Sequence, residues 1–151
     1  MPKASVSRTI RAPAGDLWEL ISDPHHLPRW WPRVARVENV QAGAFTEVLK
    51  TSKGHVVRAD FDLIDADESA CRLRWGQRVE GTPFARLLKA AETEVRLEQS
   101  PPSHAAEETL VTIELHQSTR GFFPRFGGYM IRRAATATLE EALDGLERIV
   151  G

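Results

Sequence analysis

Residues 139–150, LEEALDGLERIV, place Leu139, Ala142, Leu143, Leu146, Ile149 and Val150 on one stripe, with Glu140, Glu141, Asp144, Glu147 and Arg148 on the other side. Apolar side chains at i, i+3, i+4 and i+7 define an amphipathic helix that must bury one face. It closes a chain whose earlier apolar positions mostly recur every second residue, the period of half-buried strands. RVARVENV (33–40), AFTEVLKT (44–51), HVVRADFDLI (55–64), ACRLRWGQRVE (70–80), TEVRLEQS (93–100) and ETLVTIELHQ (108–117) all show that period. Turn residues at Gln41-Ala42-Gly43 and Ser52-Lys53-Gly54 separate the first three. A sheet built this way has an apolar face that another element must cover. Only the final helix is long enough: running from about residue 122 to 149, it spans roughly 40 Å.

The N-terminal part supplies the remaining elements. ASVSRTIRA (4–12) alternates with Val6 and Ile10 on one side, and Pro13 stops it. Leu17, Trp18, Leu20 and Ile21 then mark an amphipathic helix, which Asp23-Pro24 ends because a residue before proline disfavours helical geometry. HHLPRWW makes a second, very short helix or turn, broken at Pro32. FARLLKAA (84–91) fits a short helix. The expected fold class is α+β, in one domain spanning 1–151: a curved antiparallel sheet of about seven strands wraps around a long C-terminal helix, with two short helices between strands 1 and 2. A sheet curved around a single helix leaves an interior cavity between them.

Charge and cysteine content narrow the function classes. Twenty basic against 21 acidic residues give a net charge of -1, without the basic excess of nucleic-acid binders. The arginines at 29, 33, 36, 72, 74 and 78 have acidic neighbours and are expected on solvated faces. Cys71, the one cysteine, allows no internal disulfide and is expected as an inert core residue of its strand. No apolar run approaches the ~20 residues of a membrane span, so no stable membrane insertion is expected, and the location expected is cytoplasmic. His25 and His26 beside Asp23 fall short of the three or four converging ligands that a metal needs, and His55 and His104 look like surface positions. No metal and no cofactor are expected. The chain has no G-x-S-x-G elbow, and Gly127-Gly128 does not form a phosphate-cradling loop but a bendable helix entry. Glu114 and His116 share the face opposite Val111, Ile113 and Leu115, which argues against acid–base work inside the fold.

Against this frame, RAPAGDLWELISDPHHLPRWWPRVARV resembles the entry of the START-like, or SRPBCC, superfamily. Ala12-Pro13-Ala14 with Leu17-Trp18 match one element of that entry, and Asp23, Leu27-Pro28, Trp30 and Pro32 match another. The resemblance covers essentially the whole chain and implies the helix-grip fold, with a deep, mostly apolar pocket for a lipid-like, polyketide-like or other hydrophobic molecule. The matching residues are scaffold, so they fix fold rather than reaction.

Strand parity turns Val57, Ala59, Phe61 and Leu63 inward, as well as Leu73, Trp75, Gln77 and Val79, Val95 and Leu97, and Val111, Ile113 and Leu115. From the helix, Phe126, Tyr129 and Met130 are expected to face the sheet. Of the tryptophan pair in LPRWWPRV, Trp30 is expected to turn inward and close the end of the cavity, while Trp31 lies against the surface or a neighbouring strand. Polar residues on apolar faces carry more information, because a buried polar group without a partner costs about 1–3 kcal/mol. Gln77, Glu47 and Arg8 are such residues; an Arg8–Glu47 pair would anchor a ligand head group, unless strand twist turns both to solvent. The candidate ligand-binding set is therefore Trp30, Glu47, Phe61, Leu63, Trp75, Gln77, Phe126, Tyr129 and Met130, with no catalytic residue assigned. Three readings stay open: a binding or transport module for a hydrophobic small molecule, an aromatase/cyclase-like or dehydratase-type enzyme working through polar cavity residues, and a partner protein using Trp31 and Phe122/Phe123. Oligomeric state is left open.

Overall fold

Alternating burial along Lys3–Ile10 makes the first strand, β1, with Ala4, Val6 and Ile10 in the core. Pro13, fixed in extended geometry, then starts α1 (Ala14–Ser22) without a side-chain cap of its own; Gln99 accepts the free Ala14 N–H at 2.8 Å instead. A one-turn 3-10 segment at Pro24–His26 leads into the four-residue α2 (Leu27–Trp30). Strands follow as β2 (Val34–Gln41), β3 (Ala44–Lys50), β4 (Val56–Asp67), β5 (Arg72–Gln77), β6 (Leu88–Gln99) and β7 (Thr109–Thr119), and α3 (Arg125–Val150) ends the chain. This computed structural model describes residues 3–86, 88–101, 107–119 and 125–150, the side chains of 83, 86 and 125–128 excepted.

The described strands form one antiparallel sheet in the order β1-β7-β6-β5-β4-β3-β2. Curved about α3, it is the α+β helix-grip arrangement that the alternation predicts. Two local expectations change. Residues 84–91 are not a helix: a 3-10 turn at Pro83–Arg86 gives way to β6, where Ala91 pairs with Gln117 of β7. Pairing with β7 overrides the helical preference of leucine, lysine and alanine there. Cys71 is not a strand residue either. It sits in the turn before β5 with φ 51, half-buried, its Sγ 3.4 Å from the Glu68 carbonyl.

The apolar stripe of α3 is the centre of the core. Leu139, Ala142, Leu143 and Leu146 are all fully buried, and burying each leucine contributes about 1.5–3 kcal/mol. The helix packs on β1, β7, α1 and α2. At its crossing with α2 the only side chain small enough is a hydrogen atom: a Cβ on Gly145 would meet the Trp30 backbone, lying 2.7 Å from its Cα and closer still to its carbonyl oxygen. On the solvent side Arg8 of β1 reaches Asp144 at 2.5 Å, Glu140 at 2.8 Å and Glu147 at 3.5 Å. Arg8 therefore ties β1 to α3 and makes no pair with Glu47.

One buried hydrogen bond fixes the turn into α1. Thr109, fully buried, donates from Oγ1 to the Ala12 carbonyl at 2.7 Å. Thr109→Val keeps the shape and orphans that carbonyl, so urea unfolding should show a loss of about 1–2 kcal/mol.

Candidate functional site

Between the inner face of the sheet and the first half of α3 lies a cavity of about 490 Å³. The period-two geometry of each strand delivers its lining in pairs: Glu47 and Leu49 from β3, Val57 and Phe61 from β4, Trp75 and Gln77 from β5. Ala91 and Thr93 come from β6, Leu115 and Gln117 from β7. Register aligns these pairs across the sheet, Trp75 opposite Thr93 and Thr93 opposite Leu115. Ile131, Ala134, Ala135 and Thr138 form the helical wall. The exposed residues Arg33 and Lys50 mark the rim.

Glu47 dominates the chemistry. It is only 3% exposed, lies between Val37 of β2 and Ala59 of β4, and has no hydrogen-bond or ion-pair partner among the described residues. Burial alone pushes its carboxyl up to about 8, so it holds its proton at neutral pH. A protonated carboxyl donates one hydrogen bond and accepts others. Gln77 adds a second unsatisfied polar group: its Nε2 is buried without a partner. Two orphaned polar groups in one apolar cavity present hydrogen bonds that a ligand oxygen can complete.

Of the tryptophan pair, Trp30 turns inward as expected, although it does not line the cavity, and Trp31, packed on Trp75 of β5, does. Trp30 continues the Leu27 side of α2 into the core, 2% exposed, and its Nε1 has no partner. Trp31 leaves the helix in extended geometry, φ -85 and ψ 130, and its ring lines the cavity. It stacks edge-on between Trp30 at 5.4 Å and Trp75 at 6.0 Å. Adjacent residues across a helix end point apart, and parity carries no information at such a junction.

Of the other sequence candidates, Glu47, Phe61, Trp75 and Gln77 are brought together, Phe61 lying flat against Phe45 at 5.3 Å. Leu63 is not in this cavity. It is partly exposed and lines a separate space of about 160 Å³ behind Trp75, with Phe45 and Leu27. Tyr129 and Met130 are half exposed and face away. The side chain of Phe126 lies outside the described residues, as do Phe122, Phe123 and His104. Trp31, Leu49, Ala91, Thr93, Ile131 and the rim cations are lining residues that the sequence reading did not assign to the site. For Ile131 a signal existed, because stepping back from Leu139 by fours gives Ala135 and Ile131. Glu114, on the outer face with His116 at 3.3 Å, is held down to about 2, first by its hydrogen bond from Arg96. Among the described residues no three His, Cys, Asp or Glu side chains converge to hold a metal.

A curved seven-stranded sheet, two short helices after the first strand and a long terminal helix over a cavity define a START-like helix-grip protein. The chain belongs to the polyketide cyclase/dehydrase and lipid transport family, whose model matches residues 1–151. Among solved structures it is similar to XoxI from Bacillus cereus (12% identity, TM-score 0.76, covering 99% of this chain and 96% of that one). It is also similar to the di-domain ARO/CYC BexL from the BE-7585A biosynthetic pathway (23% identity, TM-score 0.77), covering 98% of this chain and 46% of BexL. A START superfamily protein from Mycobacterium smegmatis aligns at 16% identity and TM-score 0.74, over 98% of this chain and 96% of that one. Likeness at these identities speaks for the fold alone. No curated protein matches the chain in sequence. No helix of the described residues is long and apolar enough to cross a membrane.

Proposed function

We propose that the chain binds a hydrophobic small molecule, lipid- or polyketide-like, in the cavity between the sheet and α3. The observation that carries this is the partnerless, buried Glu47 carboxyl within an otherwise largely apolar lining. A cavity of about 490 Å³ falls in the range of small-molecule sites. Apolar burial at ~25 cal/mol per Å² is largely offset by about 4–15 kcal/mol of lost ligand freedom, so selectivity has to come from polar anchors. Glu47 and Gln77 are those anchors. Family membership, shared with proteins described by cyclase, dehydrase and lipid-transport activities, supports the same reading.

The test uses a neutral apolar fluorophore, N-phenyl-1-naphthylamine, titrated into the protein, with Ala134→Trp as the control variant. Ala134 lines the cavity from an exposed position on α3, so a bulky side chain there fills the space without entering the core. Expected are saturable binding and at least about tenfold weaker binding by the variant at unchanged thermal stability. Equal binding by both proteins would place the probe elsewhere and end this reading.

A second reading is favoured by one observation, the proton that Glu47 keeps at neutral pH. Poised near 8, this carboxyl suits a general acid that protonates a leaving hydroxyl in a dehydration. The partner-protein reading loses one of its residues, since Trp31 lines the cavity.

A further inference from the structure

The inner face of the sheet runs on past the main cavity. Phe45 of β3, Leu63 of β4, and Leu73 and Trp75 of β5 border the smaller space of about 160 Å³, which Ile21 of α1 and Leu27 of α2 roof over. Trp75 belongs to the lining of both cavities, so the two spaces meet at its ring. The gap has local causes. The β4–β5 register shifts between Leu63 and Asp65, and such a bulge bends a strand. Above it, Asp23-Pro24 interrupts the helical roof. Its mouth lies at the β2–β3 turn, where Gln41 and Gly43 are exposed and Leu63 is 39% exposed.

Two properties set this space apart from the main cavity. Its walls are held from behind: Ile21, Leu27, Phe45, Leu73 and Trp75 are buried in the core, Phe45 lies flat on Phe61, and Trp75 meets Trp31 edge-on. Side chains anchored in this way resist collapsing into the gap. Its polar groups are also satisfied. Ser22 Oγ donates to the Trp18 carbonyl at 2.6 Å, the Leu63 N–H to the Gly43 carbonyl at 2.8 Å, and the Leu27 N–H to the Pro24 carbonyl. The partnerless buried atoms among the described residues, Trp30 Nε1 and Gln77 Nε2, do not line it.

We infer that the smaller cavity is a second binding site, for a compact hydrocarbon group the size of a benzene ring. Dry spaces of about 150 Å³ walled by leucine, isoleucine and phenylalanine take up benzene or xenon. Walls that face a void forgo dispersion contacts, and a ring of this size restores them. A hydroxyl carried inside would lose water without gaining a partner. The main cavity, with Glu47 and Gln77 unpaired, favours oxygen-bearing ligands; the smaller one, across Trp75, disfavours them.

The test titrates benzene into the protein and reads the NMR signals of the Leu27 and Leu73 methyl groups. They should shift saturably, with a Kd of about a millimolar or tighter. Leu63→Trp fills the space from its partly exposed mouth and should weaken benzene binding at least about tenfold. Ala44→Leu closes the same space from β3 and replaces it if tryptophan at 63 lowers the melting temperature. Ala134→Trp, which fills the main cavity, should leave benzene binding unchanged. N-phenyl-1-naphthylamine, too large for the smaller space, should respond the other way to the two tryptophan variants. Hydroquinone buries a hydroxyl whichever end enters, and should bind at least about tenfold more weakly than benzene. No shift at these methyls, a shift that survives the mouth variants, or one that Ala134→Trp removes would overturn the second site. Equal binding of hydroquinone would overturn its hydrocarbon selectivity. Failure of the fluorophore alone would fall on the main-cavity reading and leave this one standing.

Discussion

Gly145→Ala should destabilise the protein by about 3 kcal/mol, lowering its melting temperature by roughly 10 °C. The new methyl has nowhere to go, because the atoms it meets are the backbone Cα, carbonyl carbon and carbonyl oxygen of Trp30. A flexible side chain would swing aside; backbone does not. The clash is relieved only by moving α3 off α2, and α3 carries the fully buried Leu139, Leu143 and Leu146. Gly15 is the control. It lies in α1 with nothing near its would-be Cβ, so Gly15→Ala should hold or slightly raise stability. Thermal unfolding of the two variants should move in opposite directions, and a mild effect at 145 would mean that α3 and α2 cross less closely than described.

Glu47→Gln should make the protein markedly more stable in mild alkali. The folded carboxyl keeps its proton to about pH 8, whereas the unfolded one loses it near 4.5. Between those values the native state binds more protons than the unfolded state. Stability therefore falls as pH rises through that window, by at most about 1.4 kcal/mol per pH unit from this group. Below 4.5 both states are protonated and the contribution is level. Glutamine is neutral throughout, so the variant should lack this slope and gain on the order of 4 kcal/mol over the parent at pH 8. Glu114 acts in the opposite sense and elsewhere on the scale: held down to about 2, chiefly by Arg96, it loses its stabilising contribution as pH falls below 4.5. Chemical denaturation of both proteins from pH 4 to 9 separates the two, and parallel profiles would show that Glu47 is ionised in the native state.

The fold was legible because its signals are long. Six to twelve residues set each strand's inward face, and the stripe from Leu139 to Val150 fixes which side of α3 is buried. The same parity found Glu47, Phe61, Trp75 and Gln77. It failed where periods change. The four residues of α2 are too few to set a phase: Trp30 is buried as expected, but nothing in the pattern shows that Trp31 lines the cavity. Tyr129 and Met130 do not face the sheet, because the helical phase set by Leu139 brings Ile131 and Ala135 to the cavity instead. Charge patterning along the sequence grouped Arg33 with the solvated arginines, and Arg33 is exposed.

The sheet order has a kinetic consequence. β1 pairs with β7, Val6 opposite Ile113, so the first strand made has its partner about a hundred residues away. During synthesis it waits unpaired until the last strand has left the ribosome, while β2 to β5 can zip up as successive hairpins. Such distant closure raises contact order and slows folding. Until it happens α3 has no β1 to lie on, so sheet edge and terminal helix should lock in a single late step, and nascent chains held short of that point would present β1 as an open edge to their neighbours.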